Sequence, residues 1–372
     1  MLTPAPVADV LTGSARFAVE CARAEDLADR LPDGCANLLW LDIPYFKVKT
    51  DQAWDCAWPT AEAFLAWLDE RCQQWQRIMA PNGSLYVFAS PQMAFDVERV
   101  VRPHFEVLTN IRWAKPYSSA ERNCKEAQRS PFPASETILF CEHHGSDQVA
   151  LNRSGYAAKD AEARSFIFEP LRAYIDGERK RAGITSSAVQ KALGNQMAGH
   201  YFGRSQWCLP TAENYAKLQA LFNANGGEFL RRDYEELRRD YEELRRDYEE
   251  LRTEYEALRR PFFATPDRPY TDVWIYPTVQ AYEGKHPCEK PFEMCENALL
   301  MSSRPGDLVV DLFCGSGGIG AAAMAHDRRF IGGDMDPHWR DFTARRCAMT
   351  IATGKTSTRK VVKADPAQMS LL

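Results

Sequence analysis

The 372-residue sequence has no run approaching the ~20 apolar residues that a membrane span requires, and its N-terminus lacks a basic-then-apolar signal pattern. No membrane association is expected, and the expected location is the cytoplasm. Its 11 cysteines form no C-x-x-C pair and its 7 histidines show no zinc spacing. Scattered reduced thiols, and no metal site, are the expectation. An excess of positive charge is also missing: 46 Lys and Arg stand against 51 Asp and Glu, for a net charge of -5. A uniformly basic coat for nucleic acid is thereby excluded, so any contact with DNA must come from local patches.

What is present is a helix–strand alternation at both ends of the chain. Ala36 to Asp42 reads as a buried strand, Thr60 to Met79 carries apolar residues at helical spacing, and Ser84 to Ala89 reads as a second strand. Ala80-Pro81-Asn82-Gly83 breaks the helix between them. Phe105 to Trp113 and Glu136 to Cys141 look like further strands, and a mostly parallel sheet covered by helices is predicted.

The alternation stops near His143. Residues 145 to 170 read as a polar connector, after which Pro170 to Arg181, Ser186 to Leu193, about Ala198 to Trp207 and the stretch after Pro210 read as helices. Gly183 and Gly194 punctuate them, as in a helix-turn-helix unit. Arg172, Arg179, Lys180, Arg181, Lys191 and Arg204 outnumber Asp176 and Glu178 there, and the S-Q-W-x-L-P turn at Ser205 to Pro210 resembles the phage-repressor type. The segment is either a DNA-binding unit or a structural helical insert. Residues 231 to 258 then repeat RRDYEEL three times before a degenerate RTEYEAL, placing Tyr and Leu at alternating spacings of three and four. That stripe predicts either a coiled coil joining a homodimer or one long helix laid on its own domain.

The chemistry is concentrated in two places. Asp307 to Phe313 reads as a strand running into Cys314-Gly315-Ser316-Gly317-Gly318 and a helix of small residues, a turn in which backbone amides approach a ligand at a helix N-terminus. A second strand ends in Asp334, whose carboxylate can accept from both hydroxyls of a ribose. Such loops serve nucleotide and S-adenosylmethionine enzymes alike. Here the form is D-x-F-x-G-S-G with no G-K-[ST] directly after it, which favours S-adenosylmethionine, and Phe313 is placed to cover it.

The other place is Asp42-Ile43-Pro44-Tyr45, at the end of the strand ANLLWL. Methylating an exocyclic amine requires acceptors for its N–H bonds, because its lone pair is delocalised into the ring until it is oriented. The Asp42 carboxylate and the Ile43 carbonyl supply two acceptors, and Tyr45 supplies a stacking surface for a base taken out of the helix.

With these motifs the chain resembles the β class of DNA amino-methyltransferases, in which a [D/N/S]-P-P-Y motif precedes the cofactor loop. D-I-P-Y-F at 42–46 stands for that motif, H-P-C-E-K-P at 286–291 for the segment before the loop, and R-P-G-D-L-V-V-D-L-F-C-G-S-G at 304–317 for the loop. The resemblance implies a Rossmann-like α/β sheet with circularly permuted motifs, S-adenosylmethionine as cofactor, and double-stranded DNA as partner. It places Asp311, Phe313, Gly315, Ser316, Gly317 and Asp334 at the cofactor, with His286, Pro287 and Lys290 near its methionine end. Asp at the first catalytic position favours adenine N6 over cytosine N4. Ile43 stands where the family has proline, so Asp42 loses the backbone restriction that a following proline imposes, while Ile43 before Pro44 keeps it. The rival reading is a methyltransferase-derived DNA-binding regulator that no longer turns over.

The basic connection AKPYSSAERNCKEAQRSPFPAS, with Lys115, Arg122, Lys125 and Arg129, suits contacts to the DNA backbone, as does Arg204 in the insert. The expected organisation is a catalytic half at 1–145, a target-recognition insert at 146–228, a heptad helix at 229–261, a cofactor half at 262–352 and a tail at 353–372.

Overall fold

A computed structural model of the chain describes residues 5–116, 129, 131, 133–146, 156–194, 198–204, 207–265 and 270–357. The chain forms two compact units. One is built from residues 1–146 and 260–372, the other from residues 147–259.

The first unit is organised around eight strands: β1 (Phe17–Cys21), β2 (Ala36–Leu41), β3 (Met79–Ala89), β4 (Glu106–Ala114), β5 (Ser135–Glu142), β6 (Val273–Ile275), β7 (Leu308–Asp311) and β8 (Arg329–Asp334). Their spatial order is β1-β8-β7-β2-β3-β5-β4-β6. From β1 to β3 every pairing is parallel. The sheet is mostly parallel, as expected, with one exception: β5 runs antiparallel to both β3 and β4. The reason is connectivity, since β4 and β5 are joined without a crossover helix among the described residues.

Strand residues alternate between two apolar layers. Leu39, Leu41, Leu85, Val87 and Val310 face one layer with α1 (Val7–Leu11), α2 (Ala24–Arg30), α3 (Ala61–Ile78) and α4 (Ala94–Val101). Leu38, Trp40, Tyr86, Phe88 and Val309 face the other, against helices from the C-terminal part of the chain. Each such fully buried aliphatic side chain contributes roughly 1.5–3 kcal/mol, so burial of both faces fixes the register by period-two patterning. This is a doubly wound, Rossmann-like α/β sheet.

Position in that sheet decides where chemistry can occur. The chain leaves β7 towards β8 on one side and leaves β2 towards β3 on the other, while β2 and β7 are themselves paired, Leu39 opposite Val310. The carboxyl ends of two such strands form a topological switch point, where open α/β sheets bind ligands.

Two local differences from the sequence pattern have simple causes. Strand β3 starts at Met79 rather than Ser84, because the pairing with β2 shifts register between Ala36 and Leu38 and absorbs the Ala-Pro-Asn-Gly stretch. A Cβ at Gly83 would stand 2.7 Å from the Met79 side chain and 3.0 Å from the Ala36 carbonyl oxygen, so the irregularity depends on glycine there. The short strands β1 and β6, absent from the sequence reading, complete the two edges of the sheet.

Among the described residues the second unit has only helices as regular elements: α5 (Tyr156–Ile167), α6 (Glu169–Arg181), α7 (Ser186–Leu193), α8 (Ala198–Phe202), α9 (Ala212–Phe222) and α10 (Tyr234–Leu258). Much of the stretch read as a polar connector is therefore the helix α5, and α8 ends at Phe202 instead of running to Trp207. Trp207 instead turns inward, its indole N–H donating to the Tyr201 carbonyl at 2.9 Å and its ring packing on Phe168 and Tyr241. Helix α7 stops at Gly194, which takes the left-handed conformation (φ 69°) that caps a helix C-terminus. The Tyr/Leu stripe of α10 lies on its own unit: Leu237 and Tyr248 are buried in the helical core, with Tyr241 and Leu244 packed beside them.

In the first unit, α11 (Phe292–Ser302), α12 (Gly318–Ala325) and α13 (Pro337–Thr353) cover the second face of the sheet. Among the described residues, no helix is long and apolar enough to cross a membrane, and no cluster of His, Cys, Asp and Glu is arranged to hold a metal ion.

Candidate active site

Strand β2 ends at Leu41, so Asp42 to Tyr45 leave the sheet at the switch point. Ile43 is 2% exposed and packs in the core layer, which gives a physical account of the residue that stands in place of proline: its side chain anchors the strand end. Asp42 is held from the side-chain direction instead. Its Oδ2 lies 2.7 Å from the Lys290 ammonium and its Oδ1 lies 3.2 Å from the Tyr45 hydroxyl.

Tyr45 is aimed by a loop that folds around buried Asp55. The Asp55 carboxylate accepts from the backbone N–H of Tyr45 at 2.5 Å and of Lys49 at 2.6 Å, and its carbonyl accepts from Lys47 at 2.8 Å. Between them, Phe46 (φ 57°) and Lys47 (φ 59°) are left-handed non-glycine residues, each costing on the order of 1–3 kcal/mol. The charge-assisted bonds to Asp55, and the Phe46 ring stacked on Phe64 at 5.7 Å, offset that strain.

The glycine loop follows β7 on the neighbouring strand. Gly315 (φ 47°) and Gly317 (φ 69°) both need the left-handed region. The Gly315 N–H donates to Asp334 Oδ2 at 2.9 Å, and Asp336 N–H donates to Oδ1 at 2.9 Å. Each carboxylate oxygen keeps a second lone-pair site, so the end of β8 can still accept from two hydroxyls. Asp311 accepts from Phe313 N–H at 3.0 Å. Burial, together with the carboxylates of Asp42 and Asp334, pushes its pKa well above the usual range. Behind the loop, Thr343 donates to the Gly315 carbonyl at 2.8 Å and buried Arg346 to the Ser316 carbonyl at 2.8 Å. Gly315, Gly317 and Gly320 also satisfy the G-x-G-x-x-G spacing of dinucleotide loops, so that spacing does not discriminate between ligands.

One short segment touches both places. A Cβ at Gly315 would stand 3.1 Å from the His286 ring, and four residues later Lys290 reaches Asp42. His286 packs edge-on against Trp339 at 4.5 Å, and burial with nearby Lys290 and Lys285 lowers its pKa to about 4. Pro287 lies between them in the chain. The structure thus brings Asp42, Ile43, Tyr45, His286, Lys290, Asp311, Phe313, Gly315, Ser316, Gly317 and Asp334 to one end of the sheet.

Lys290 is 7% exposed and its ammonium lies 4.9 Å from the Phe88 ring centroid and 5.2 Å from that of Tyr45. Burial opposes its charge, but Asp42 and Glu136 outweigh that and raise its pKa. Burial likewise pushes Asp42 up, with Lys290 opposing and Glu136 adding to the shift.

Two further residues belong here that the sequence did not single out for the site. Glu136, near the start of β5, accepts from the Tyr45 hydroxyl at 2.6 Å and pairs with Lys115 at 2.6 Å and Lys290 at 3.5 Å. Burial works against its ionisation, yet the two ammonium groups hold its carboxyl down at about 2. Lys115, expected among DNA contacts, is committed to this cluster. Its partner on β5 is 21 residues away in sequence, and β4 and β5 bring the two together as the paired positions Ala114 and Ser135 predict. Arg129 is exposed, and Arg122 and Lys125 lie outside the described residues. In the helical unit, Arg204 is 69% exposed and pairs with Glu169 at 3.2 Å. Arg172, Arg179 and Lys180 share the single carboxylate of Asp176 and Arg181 pairs with Glu178, so these ion pairs leave net positive charge in that unit.

A family described as DNA methylase, of the N6/N4 type, matches residues 36–345, most of the chain. The chain belongs to that DNA methylase family. The type II methyltransferase M2.MboI of Moraxella bovis is 35% identical over 83 residues, 22% of this chain and 30% of that protein. The DNA adenine methyltransferase YhdJ of Escherichia coli (strain K12) is 33% identical over 115 residues, 28% of this chain and 39% of that protein. The matched segments thus span well under half of these relatives. Among solved structures, the PvuII DNA methyltransferase, described as cytosine-N4-specific, aligns with 94% of this chain and 91% of its own at 11% identity and a TM-score of 0.48.

Proposed function

We propose that this DNA methylase transfers a methyl group to the N6 amine of adenine in duplex DNA, with the target base flipped out of the helix. The observation that carries the reading is the segment from His286 to Lys290, which contacts the glycine loop at one end and the Asp42 carboxylate at the other.

The residues fit S-adenosylmethionine. Asp334 offers acceptors for a ribose, the left-handed Gly315 and Gly317 let backbone approach a ligand, and neutral His286 borders the loop on the side facing Lys290. When bound, the cofactor would supply a sulfonium-borne methyl whose carbon can bond to the amine nitrogen as the neutral thioether leaves. Asp42 and the Ile43 carbonyl hold the two N–H bonds, so that the lone pair turns out of the ring plane. Tyr45 supplies the face on which the base stacks. The methylated nitrogen is strongly acidic, and Asp42, whose pKa burial has raised, takes its proton. Neither Lys290 nor Glu136 exchanges protons near neutral pH, since each is held in its charged form. The basic sequence that links β4 to β5, with Arg122, Lys125 and Arg129, is proposed to supply contacts to the DNA backbone. The name of the Escherichia coli relative supports adenine over cytosine.

The test is transfer of tritiated methyl from labelled S-adenosylmethionine to duplex DNA. The wild-type protein is expected to label DNA, and Asp42→Ala to lower the rate at least a thousandfold while still binding cofactor. Tight DNA binding with no label from the wild type would replace this reading with that of a DNA-binding regulator.

A further inference from the structure

The transfer as proposed gives Glu136 no task, yet the structure spends two lysines and a tyrosine hydroxyl on it. The Tyr45 hydroxyl has a single proton to donate and two carboxylates within reach. Glu136 Oε2 stands at 2.6 Å and Asp42 Oδ1 at 3.2 Å, so the proton goes to Glu136. Lys115 at 2.6 Å, itself over the Trp113 ring at 4.8 Å, fixes the other Glu136 oxygen. Lys290 binds Asp42 through Oδ2 at 2.7 Å and reaches back to Glu136 at 3.5 Å. The consequence falls on Asp42: one oxygen is bound by a lysine, and the other is spared the tyrosine proton.

Resting on the methyl-transfer reading above, we propose that Glu136 is a positioning residue for that reaction: by taking the Tyr45 hydroxyl proton, it keeps Asp42 Oδ1 available as the acceptor for the target amine. It touches neither the base nor the methyl group. Without it, the Tyr45 hydroxyl turns to Asp42 Oδ1 and competes with the amine N–H, which lowers the fraction of bound substrate in a reactive orientation.

The experiment is a double-mutant cycle on the full-length protein with tritiated S-adenosylmethionine and duplex DNA. Glu136→Gln is expected to lower kcat about 10- to 100-fold with the KM for DNA changed little. In a Tyr45→Phe background, where no hydroxyl remains to compete, the same substitution is expected to cost less than about threefold. Removing the Glu136 charge also lowers the Asp42 pKa, so the acid limb of kcat moves to lower pH in Glu136→Gln. A merely structural Glu136 gives the same fractional loss in both backgrounds, and that result overturns the proposal. If Glu136→Gln does not fold, Glu136→Asp keeps the charge but retracts it by one methylene. Its loss must then depend on the Tyr45 hydroxyl in the same way. No label from the wild type defeats the methyl-transfer reading itself, whereas wild-type transfer with equal losses defeats only the role of Glu136.

Discussion

Asp42 and Glu136 are carboxyl groups joined through one tyrosine hydroxyl, and their surroundings drive their pKa values apart. Burial raises that of Asp42, while two ammonium groups hold Glu136 at about 2. Such a split suits the proposed roles, with the raised group taking the proton and the depressed one staying an anion. Because Asp42 must be ionised to accept an N–H, activity is lost as pH falls through its raised pKa. The acid limb of the kcat profile should therefore lie at higher pH than for an exposed aspartate, and Asp42→Glu should move or abolish it. His286 behaves oppositely. With a folded pKa of about 4 against 6.5 when unfolded, it takes up a proton in the unfolded chain that the fold rejects. Its stabilising contribution is complete above pH 6.5 and declines as pH falls from 6.5 to 4. Urea midpoints measured across that window should drop for the wild type and flatten for His286→Asn. Gly317→Ala makes a steric test of the loop: the φ of 69° and a Cβ 2.7 Å from the Thr343 side chain predict about 1–3 kcal/mol of strain. Calorimetric cofactor affinity should fall at least tenfold.

At the scale of elements, sequence pattern is most readable where burial imposes a period. ANLLWL, SLYVFA and DLVV alternate between two apolar layers, and all three were legible as strands. Strands β1 and β6 were not, because five- and three-residue edge segments carry too little periodicity to stand out. Glu136 shows the same limit in another form. A charged residue opening a strand looks solvated, and only the antiparallel pairing of β4 with β5 reveals that it is enclosed by Lys115, Lys290 and Tyr45. Asp55 was equally silent, since its partners are backbone amides. The heptads of α10 specify a helix, but their stripe alone does not say what covers it. In the structure the stripe packs on its own unit from Leu237 to Tyr248, while Leu258 at its end is exposed. Leu237→Ala should therefore cost about 2–5 kcal/mol, against less than about 0.5 kcal/mol for Leu258→Ala, where the side chain is 50% exposed. Urea denaturation of the two variants checks the difference.

For the molecule as a whole, two motifs some 270 residues apart in sequence meet because β2 and β7 are neighbours in space. The Asp42-to-Tyr45 tetrapeptide precedes the glycine loop in the chain, while in the sheet the two strand ends lie side by side. The segment from His286 to Lys290 then ties the loop to the carboxylate. That convergence is the claim on which the function rests, and product analysis tests it most directly. Duplex DNA treated with the protein and S-adenosylmethionine carrying a deuterated methyl should be digested to nucleosides and examined by mass spectrometry. The account predicts deuterated N6-methyladenine, present with the wild-type protein and absent with Asp42→Ala. Deuterated N4-methylcytosine alone would contradict the choice of base, and no methylated nucleoside from a protein that binds both cofactor and DNA would contradict the account.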